Sequence, residues 1–274
     1  MAEALVRARS ALRAYLLIAG MWLRASLAYR ASFWMTTVGN AVTSALDFVV
    51  IAFMFLHAKA LGGWTLPQVA FLYGTSGLTL GLADLLVGSL DQLGRRVRDG
   101  SVDTVLVRPA AALAQLSADR FALRRVGRVT QSALILAWSL DRLRLDWTPG
   151  RLLVMVVLVV CGTVIFGSVF VAGAAFQFFA TDAAEVQNSL TYGGATMLQY
   201  PPTVYARDLV RGAVYGVPLA FVNWLPAMYL LDRPDTLGLP GWYRFASPLA
   251  ALVCATAAAL AWRAGIRSYR STGS

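Results

Sequence analysis

Apolar residues in this chain fall in long blocks, not in alternation. Six blocks stand out. They run from about Ser32 to Leu56, from Val69 to Leu90, between Arg128 and Asp141, from Leu152 to Phe179, from Leu209–Val210 through Pro226, and from Phe245 to Trp262. Most approach the ~20 residues that a bilayer crossing needs. The third is the shortest, about twelve uncharged residues or roughly 18 Å of helix. It crosses only if Arg128 snorkels and the helix continues toward Leu145. β-barrel strands would be shorter, with polar residues alternating. The pattern predicts an all-α, polytopic membrane protein with six transmembrane helices in residues 31–274. Residues 1–30 carry Arg7, Arg9, Arg13 and Arg24 among Leu5, Leu12, Leu16, Leu17 and Trp22. That spacing predicts an N-terminal amphipathic helix lying in the membrane interface. The other reading is a plain cytosolic leader.

Prolines and polar stretches punctuate the blocks. Gly62-Gly63 and Pro67 mark a turn between the first two. Polar stretches run from Asp91 to Arg128 and from Thr181 to Arg211. The fifth block holds Pro218, Asn223 and Pro226. Proline removes a helix hydrogen bond, so a helix break is expected near Pro226, with partial re-entry into the outer leaflet before Pro240.

Composition narrows the class. Hydrophobic residues make up 58% and charged residues 14%, against about a quarter charged in a soluble domain. The net charge of +10 comes from arginines at helix ends, with no basic stripe interleaved with aromatics, so nucleic acid is not expected as a partner. Six crossings put both termini on one side. That side collects 18 of the 24 basic residues and the other side 6. The positive-inside rule then places both termini and both polar stretches in the cytoplasm, and the chain in the inner membrane. Arg7, Arg9 and Arg13 interrupt any signal-peptide core. Cys161 and Cys254 lie inside apolar blocks and read as small core residues.

The chemistry is sparse. Lys59 is the single lysine, with no glycine-rich loop before it and no Ser or Thr after it. A Walker A site needs both, so this chain is not expected to be an enzyme or to bind a cofactor itself. No nucleophile–base set and no metal-binding spacing is present, and His57 has no companion ligands.

The stretch from Gly100 to Pro109, GSVDTVLVRP, fits the pattern G-x-φ-D-x-φ-L-x-R-P, where φ is apolar. It resembles a signature of type-two ABC export permeases, in the branch that includes viologen and multidrug exporter permeases. Tyr29-Arg30 with Phe33, Tyr200-Pro201 with Val204-Tyr205, and Phe221 to Pro226 are similar to further segments of that family. Phe121 to Arg125 resembles a segment common in one of two sister subfamilies. Pro202 stands where the family pattern has a bulky apolar residue. The resemblance implies the transmembrane subunit of an ATP-binding-cassette exporter, paired with a second permease, either a sister chain or a second copy of itself. Separate ATPase subunits would carry ATP and Mg. It also implies that the cytoplasmic loop 91–128 is the coupling loop, with Arg95, Arg96, Arg98, Gly100, Asp103, Arg108 and Pro109 facing the ATPase.

The residues themselves fit a short helix ended by Gly100 in the left-handed conformation. Pro109 stops the next segment and is placed to start another. Val102, Val105 and Leu106 offer an apolar docking surface; an ordinary solvated loop is the other reading. Asp47 and Asp84 are carboxylates inside spans, where charge is expensive and usually functional. They line a path for a positively charged substrate or make buried structural hydrogen bonds, with Asn40, Thr43 or a neighbouring chain as candidate partners. Phe176 and Asn223 complete the candidate path. Phe166, Phe170, Phe176, Phe178 and Phe179 suit either a drug-binding wall or helix packing. Gly162, Gly167 and Gly173 suit close helix approach. Trp64, Trp147, Trp224 and Trp242 read as outer interfacial anchors. Two rivals stay open: an ion-coupled secondary transporter, and a membrane enzyme or scaffold.

Overall fold

The computed structural model describes residues 2–28, 30–119, 125–180, 183–235 and 237–269, and among these the regular elements are helices. The sister-subfamily segment Phe121 to Arg124 lies outside the described residues. The helices are α1 (Ala2–Ala28), α2 (Arg30–His57), α3 (Leu66–Val87), α4 (Leu93–Arg98), α5 (Asp103–Leu106), α6 (Ala112–Ala118), α7 (Val126–Leu143), α8 (Pro149–Gln177), α9 (Ala184–Asn188), α10 (Gly194–Leu198), α11 (Arg207–Arg211), α12 (Trp224–Leu230) and α13 (Ser247–Ser268). A π-helical turn, Ser189–Gly193, joins α9 to α10, and a second, Gly212–Gly216, extends α11.

Among the described residues, three helices are long and apolar enough to cross a bilayer: α3 with its continuation through α4, α8, and α13. Each begins with a proline in its first turn, Pro67, Pro149 or Pro248, where the missing N–H has no helical acceptor to lose. The Thr65 N–H donates to Gln68 Oε1 (3.1 Å) and the Arg151 N–H to Thr148 Oγ1 (3.3 Å), so α3 and α8 are also capped.

α3 gives the molecule two ends. One is the Gly62-Gly63 turn; the other is the arginine-rich α4–α6 element. At the turn end, Ser139 of α7 donates to the Pro67 carbonyl (2.8 Å) and Arg151 of α8 pairs with Asp232 (2.6 Å). At the arginine end, Arg125 before α7 meets Asp84, Gln177 of α8 meets Gly94, and Gly265 of α13 packs on Ala175 and Phe178. α3, α8 and α13 therefore run one way. α7 runs the other way, as does α2, whose Thr37 touches Gly127 at the start of α7.

The segment from α9 to Val204 also runs the other way, along the whole of α3. Tyr192 reaches Asp84 (3.3 Å), the Ala195 carbonyl accepts from Ser76 (2.8 Å), and Thr203 donates to the Gly62 carbonyl (2.9 Å). This revises the topology expected from hydropathy. The second polar stretch is not a loop at the arginine end, because its chain passes from one end to the other. Its polar residues escaped an apolar-block reading because they are buried between helices: Gln187 and Thr191 are nearly inaccessible. Arg207 and Arg211 consequently lie at the turn end.

The proline-rich block is a hairpin, not a fifth crossing. Its two arms meet at 82°. Thr203 before it and Arg233 after it bond the adjacent Gly62 and Gly63 carbonyls, at 2.9 and 2.7 Å. Its tip is deep: Val222 packs on Gly162, near the middle of α8, and Leu219 on Gly194. The break sits at Val217-Pro218, eight residues before the expected Pro226. Val217 is extended (φ −104°, ψ 110°), as a residue before proline is forced to be. Pro226 instead occupies the first turn of α12, where its absent N–H costs nothing.

Two of the four expected interfacial tryptophans are core. Trp64 and Trp224 are 1% and 0% exposed, while Trp147 and Trp242 are open. Trp224 is held by a bond from Nε1 to the Tyr200 carbonyl (2.9 Å), and the Arg233 guanidinium covers the Trp64 ring. Phe166 and Phe170 are fully buried packing residues; Phe176 and Phe179 are exposed. Gly162 and Gly173 do permit close approach, because a Cβ would lie 2.8 Å from Thr79 Cγ2 and 2.5 Å from Gln187 Cγ. Gly167 does not, its nearest neighbour being 3.8 Å away.

Candidate functional site

The arginine end is built from short helices folded on a small apolar core of their own. Leu90, Leu93, Val97, Val102, Val105 and Leu116 pack together against Ala174, Ala175 and Trp262 of the long helices. α4 turns Leu93, Gly94 and Val97 inward and leaves Arg95 and Arg98 outside. It ends at Gly100, whose φ of +66° is the left-handed conformation expected from sequence. Asp103 opens α5. Pro109 follows α5 but does not start α6, which begins three residues later at Ala112.

The expected docking surface is redistributed. Val102 and Val105 are core. The exposed apolar residues are Leu106 and its neighbour Val107, 83% accessible. Arg108 and Pro109 are exposed beside them, and Arg95 and Arg98 lie on the exposed side of α4. The element therefore exposes an apolar pair, Leu106 and Val107, next to Arg108, and two further cations on α4.

Four buried or half-buried polar residues tie this element to the rest of the chain, and none was singled out from the sequence. Gln115 donates through Nε2 to the Val105 and Ala110 carbonyls (3.3 and 2.9 Å), which closes α5 onto α6. Asp119 pairs with Arg96 and accepts from Trp22 Nε1 (3.1 Å), which joins α6, α4 and α1. Gln177 accepts from the Gly94 N–H and donates to Gln187 Oε1 (2.7 Å), joining α4, α8 and α9. Burial and the neighbouring Asp103 carboxylate hold the Tyr269 phenol above its ordinary range, so the C-terminal segment also lies against α5. Paired amides inside an apolar region were the sequence signal for Gln177 and Gln187. Their pairing needed the fold.

Asp84 forms the joint above this element. Its carboxylate lies 3.1 Å from Arg125 Nε and 3.9 Å from Arg128 Nη1, and it accepts from the Tyr192 hydroxyl (3.3 Å). Arg125 also donates to the Asp84 carbonyl (3.0 Å), and the Arg128 guanidinium stacks on the Tyr192 ring at 5.3 Å. Asp84 is 5% exposed. A buried carboxylate with two guanidiniums and a phenol is a structural ion pair, and pairing makes its burial tolerable. Thr43, one of the expected partners, bonds the Gly39 carbonyl in its own helix instead. The Asn40 side chain lies outside the described residues.

The four residues of the expected substrate path are not brought together. Asp47 lines a small cavity with Tyr73, Gln131, Tyr192 and Arg128. Asp84 is sealed in its ion pair. Phe176 lines an apolar recess with Gly173, Val186 and Leu190. Asn223, fully buried, donates to the Leu72 and Leu198 carbonyls (both 3.1 Å) and latches the hairpin onto α3 and α10.

No curated protein and no solved structure matches the chain. Residues 41–273, which include every element from the second half of α2 onward, match the family model described as ABC-2 family transporter protein. The chain belongs to the ABC-2 transporter family, and is thereby a membrane permease component of an ABC transporter.

Proposed function

We propose that this chain is the transmembrane subunit of an ATP-driven exporter, in the branch resembling viologen and multidrug exporter permeases. The α4–α6 element receives the ATPase, which carries ATP and Mg. The observation that supports this reading is the construction of that element. Its inner face is packed to the long helices, while Leu106, Val107 and Arg108, and Arg95 and Arg98 of α4, are all exposed. A shallow apolar groove with an acidic rim on a partner would complement it.

The alternating directions of α2, α3, α7, α8, the α9–Val204 segment and α13 support six crossings. The hairpin of α11 and α12 is re-entrant from the outer side. Moving Arg207 and Arg211 to that side leaves 16 basic residues inside and 8 outside, an asymmetry that supports cytoplasmic termini and an inner-membrane location. α1 lies in the inner interface. Tyr15 bonds the Leu86 carbonyl and Trp22 bonds Asp119, both at the arginine end, which suits a helix running across the bundle. A second permease, sister or identical, completes the pore.

ATP binding closes the ATPase pair and moves α4. Through Gln177 and Gln187 that displacement reaches the α9–Val204 crossing, and through Asp84 it reaches α7. Two states of the bundle then differ in their affinity for cargo, as alternating access requires.

The test is purification of the tagged chain with its associated proteins, followed by Arg108→Glu and, separately, Asp103→Arg. An ATPase subunit is expected to co-purify with the unaltered chain. Both variants are expected to lose most of that association or of the ATPase stimulation. Normal association and stimulation in both would sink the docking assignment.

A further inference from the structure

A polar chamber of about 130 Å³ lies inside this apolar bundle. It opens among α2, α3, α7 and α10. Its walls carry Asp47, Arg128, Tyr73, Gln131, Tyr192 and Gln199. Tyr73, Gly77 and Leu80 sit midway along α3, so the chamber opens in the middle of the bundle, with Arg128 and Tyr192 joining it to the Asp84 ion pair.

Its size decides between ligand classes. A water occupies about 30 Å³, so the chamber holds about four water-sized groups. Drug-sized pockets begin at about 300 Å³. The chamber accommodates a headgroup and not a whole drug.

Its charges decide between headgroups. Asp47 has no ion-pair partner among the described residues. Arg128 Nη1 is buried without a hydrogen-bond acceptor, and Asp84 lies 3.9 Å from it. Among the described residues, Asp47 therefore has no cation against it, and Arg128 Nη1, though in ion-pair range of Asp84, has no hydrogen bond and can take an acceptor. Tyr73 and Tyr192 add aromatic faces that favour an ammonium group.

The chamber adjoins an apolar groove of about 870 Å³ between α2 and α7, lined by Trp34, Val38, Val42, Phe48, Leu134 and Ile135. Gln131 lines both spaces. A polar chamber beside a long apolar groove has the shape of an amphiphile.

We infer that chamber and groove together bind one zwitterionic amphiphile. Its ammonium group faces Asp47, its phosphate takes Arg128 Nη1, and its tail lies between α2 and α7. A lipid held merely as solvent keeps its headgroup at the membrane surface. A headgroup site at mid-depth is the site of a cargo in transit. The inference deepens the permease reading and rests on it only for movement, since binding needs no ATPase.

The experiment is native mass spectrometry of the delipidated, purified chain titrated with phosphatidylethanolamine and, separately, with phosphatidylglycerol, which has no ammonium group. Phosphatidylethanolamine is expected to bind about tenfold more tightly, a factor typical of one added charge-assisted contact. Asp47→Asn is expected to abolish that preference while leaving phosphatidylglycerol binding unchanged. Asp47 is exposed in the chain, so the variant keeps its fold, checked by an unchanged unfolding temperature. Val42→Trp, which fills the groove, is expected to reduce binding of both lipids. Equal binding of the two lipids by the unaltered chain overturns the inference, as does an Asp47→Asn variant with the preference intact. Bound lipid that ignores both substitutions is surface lipid only, and that result also overturns it. Failure of an ATPase to co-purify would sink the permease assignment and leave these outcomes readable.

Discussion

α2 and α3 lie side by side and are both predominantly apolar, yet they are used in opposite ways. α3 is enclosed along nearly its whole length, from Val69 to Asp84. Among the described side chains of α2, Trp34, Met35, Val38, Leu46, Val50, Phe53 and Leu56 are all exposed, and Ile51 alone is fully buried. The difference lies in where the glycines stand, not in hydropathy. α3 carries Gly74, Gly77 and Gly81, which let its backbone come close to Leu136, Ser132 and Val129 of α7. The glycine of α2, Gly39, meets no neighbour, and the large residues of α2 suit lipid or a partner subunit. In a bilayer, lipid tails are as apolar as leucine, so apolarity does not drive helix association. Small residues and polar pairings do.

Four substitutions test that contrast, and unfolding of the purified chain in detergent is the common measurement. Asp84→Ala is expected to have the largest effect, a loss of about 3–5 kcal/mol, because it leaves Arg125 buried without its partner. Survival of Asp84→Ala with unchanged stability would show that the ion pair is not what closes the arginine end. Gly74→Ala comes next, at about 1–3 kcal/mol. The new Cβ would stand 2.9 Å from the Leu136 backbone, so α7 must shift. Asn223→Ala is expected to cost about 1–3 kcal/mol by removing the side-chain donor of the Leu198 carbonyl and one of the donors of the Leu72 carbonyl, which keeps the Thr75 hydroxyl. Its loss should appear as faster hydrogen exchange in the hairpin before the rest of the bundle. Leu46→Ala on the open face of α2 is expected to stay within about 0.5 kcal/mol. A larger cost there would mean that α2 is packed against something beyond this chain.

How much of this was legible depended on the range of the interaction. Gly100 ending α4 is local: a left-handed residue after a short helix is a matter of backbone sterics, and glycine announces it. Prolines in the first turns of α3, α8 and α13 are equally local. The α9–Val204 crossing was not legible. Gln187, Ser189, Thr191 and Gln199 lower its hydropathy below that of a lipid-facing helix, and the burial of Gln187 and Thr191 depends on α3 and α8. The hairpin was half legible. Its prolines signalled a break, but Val217 before Pro218 took the extended conformation while Pro226 fell harmlessly in a first turn. Trp64 and Trp224 illustrate the same limit, since an indole near a helix end reads as an anchor until its neighbours enclose it. Asp84 and its arginines lie 41 and 44 residues apart, and nothing in either segment names the other.

Sequence by itself determined that this chain is helical, membrane-embedded, without a Walker A loop, and marked by the Gly100–Pro109 signature. Each of these follows from residue type and spacing within a single segment. Tertiary structure alone decided which polar stretch crosses the bundle, which proline breaks its helix, and which carboxylate is paired. Those outcomes depend on a buried polar group finding a partner, and the partner is supplied by a distant part of the chain.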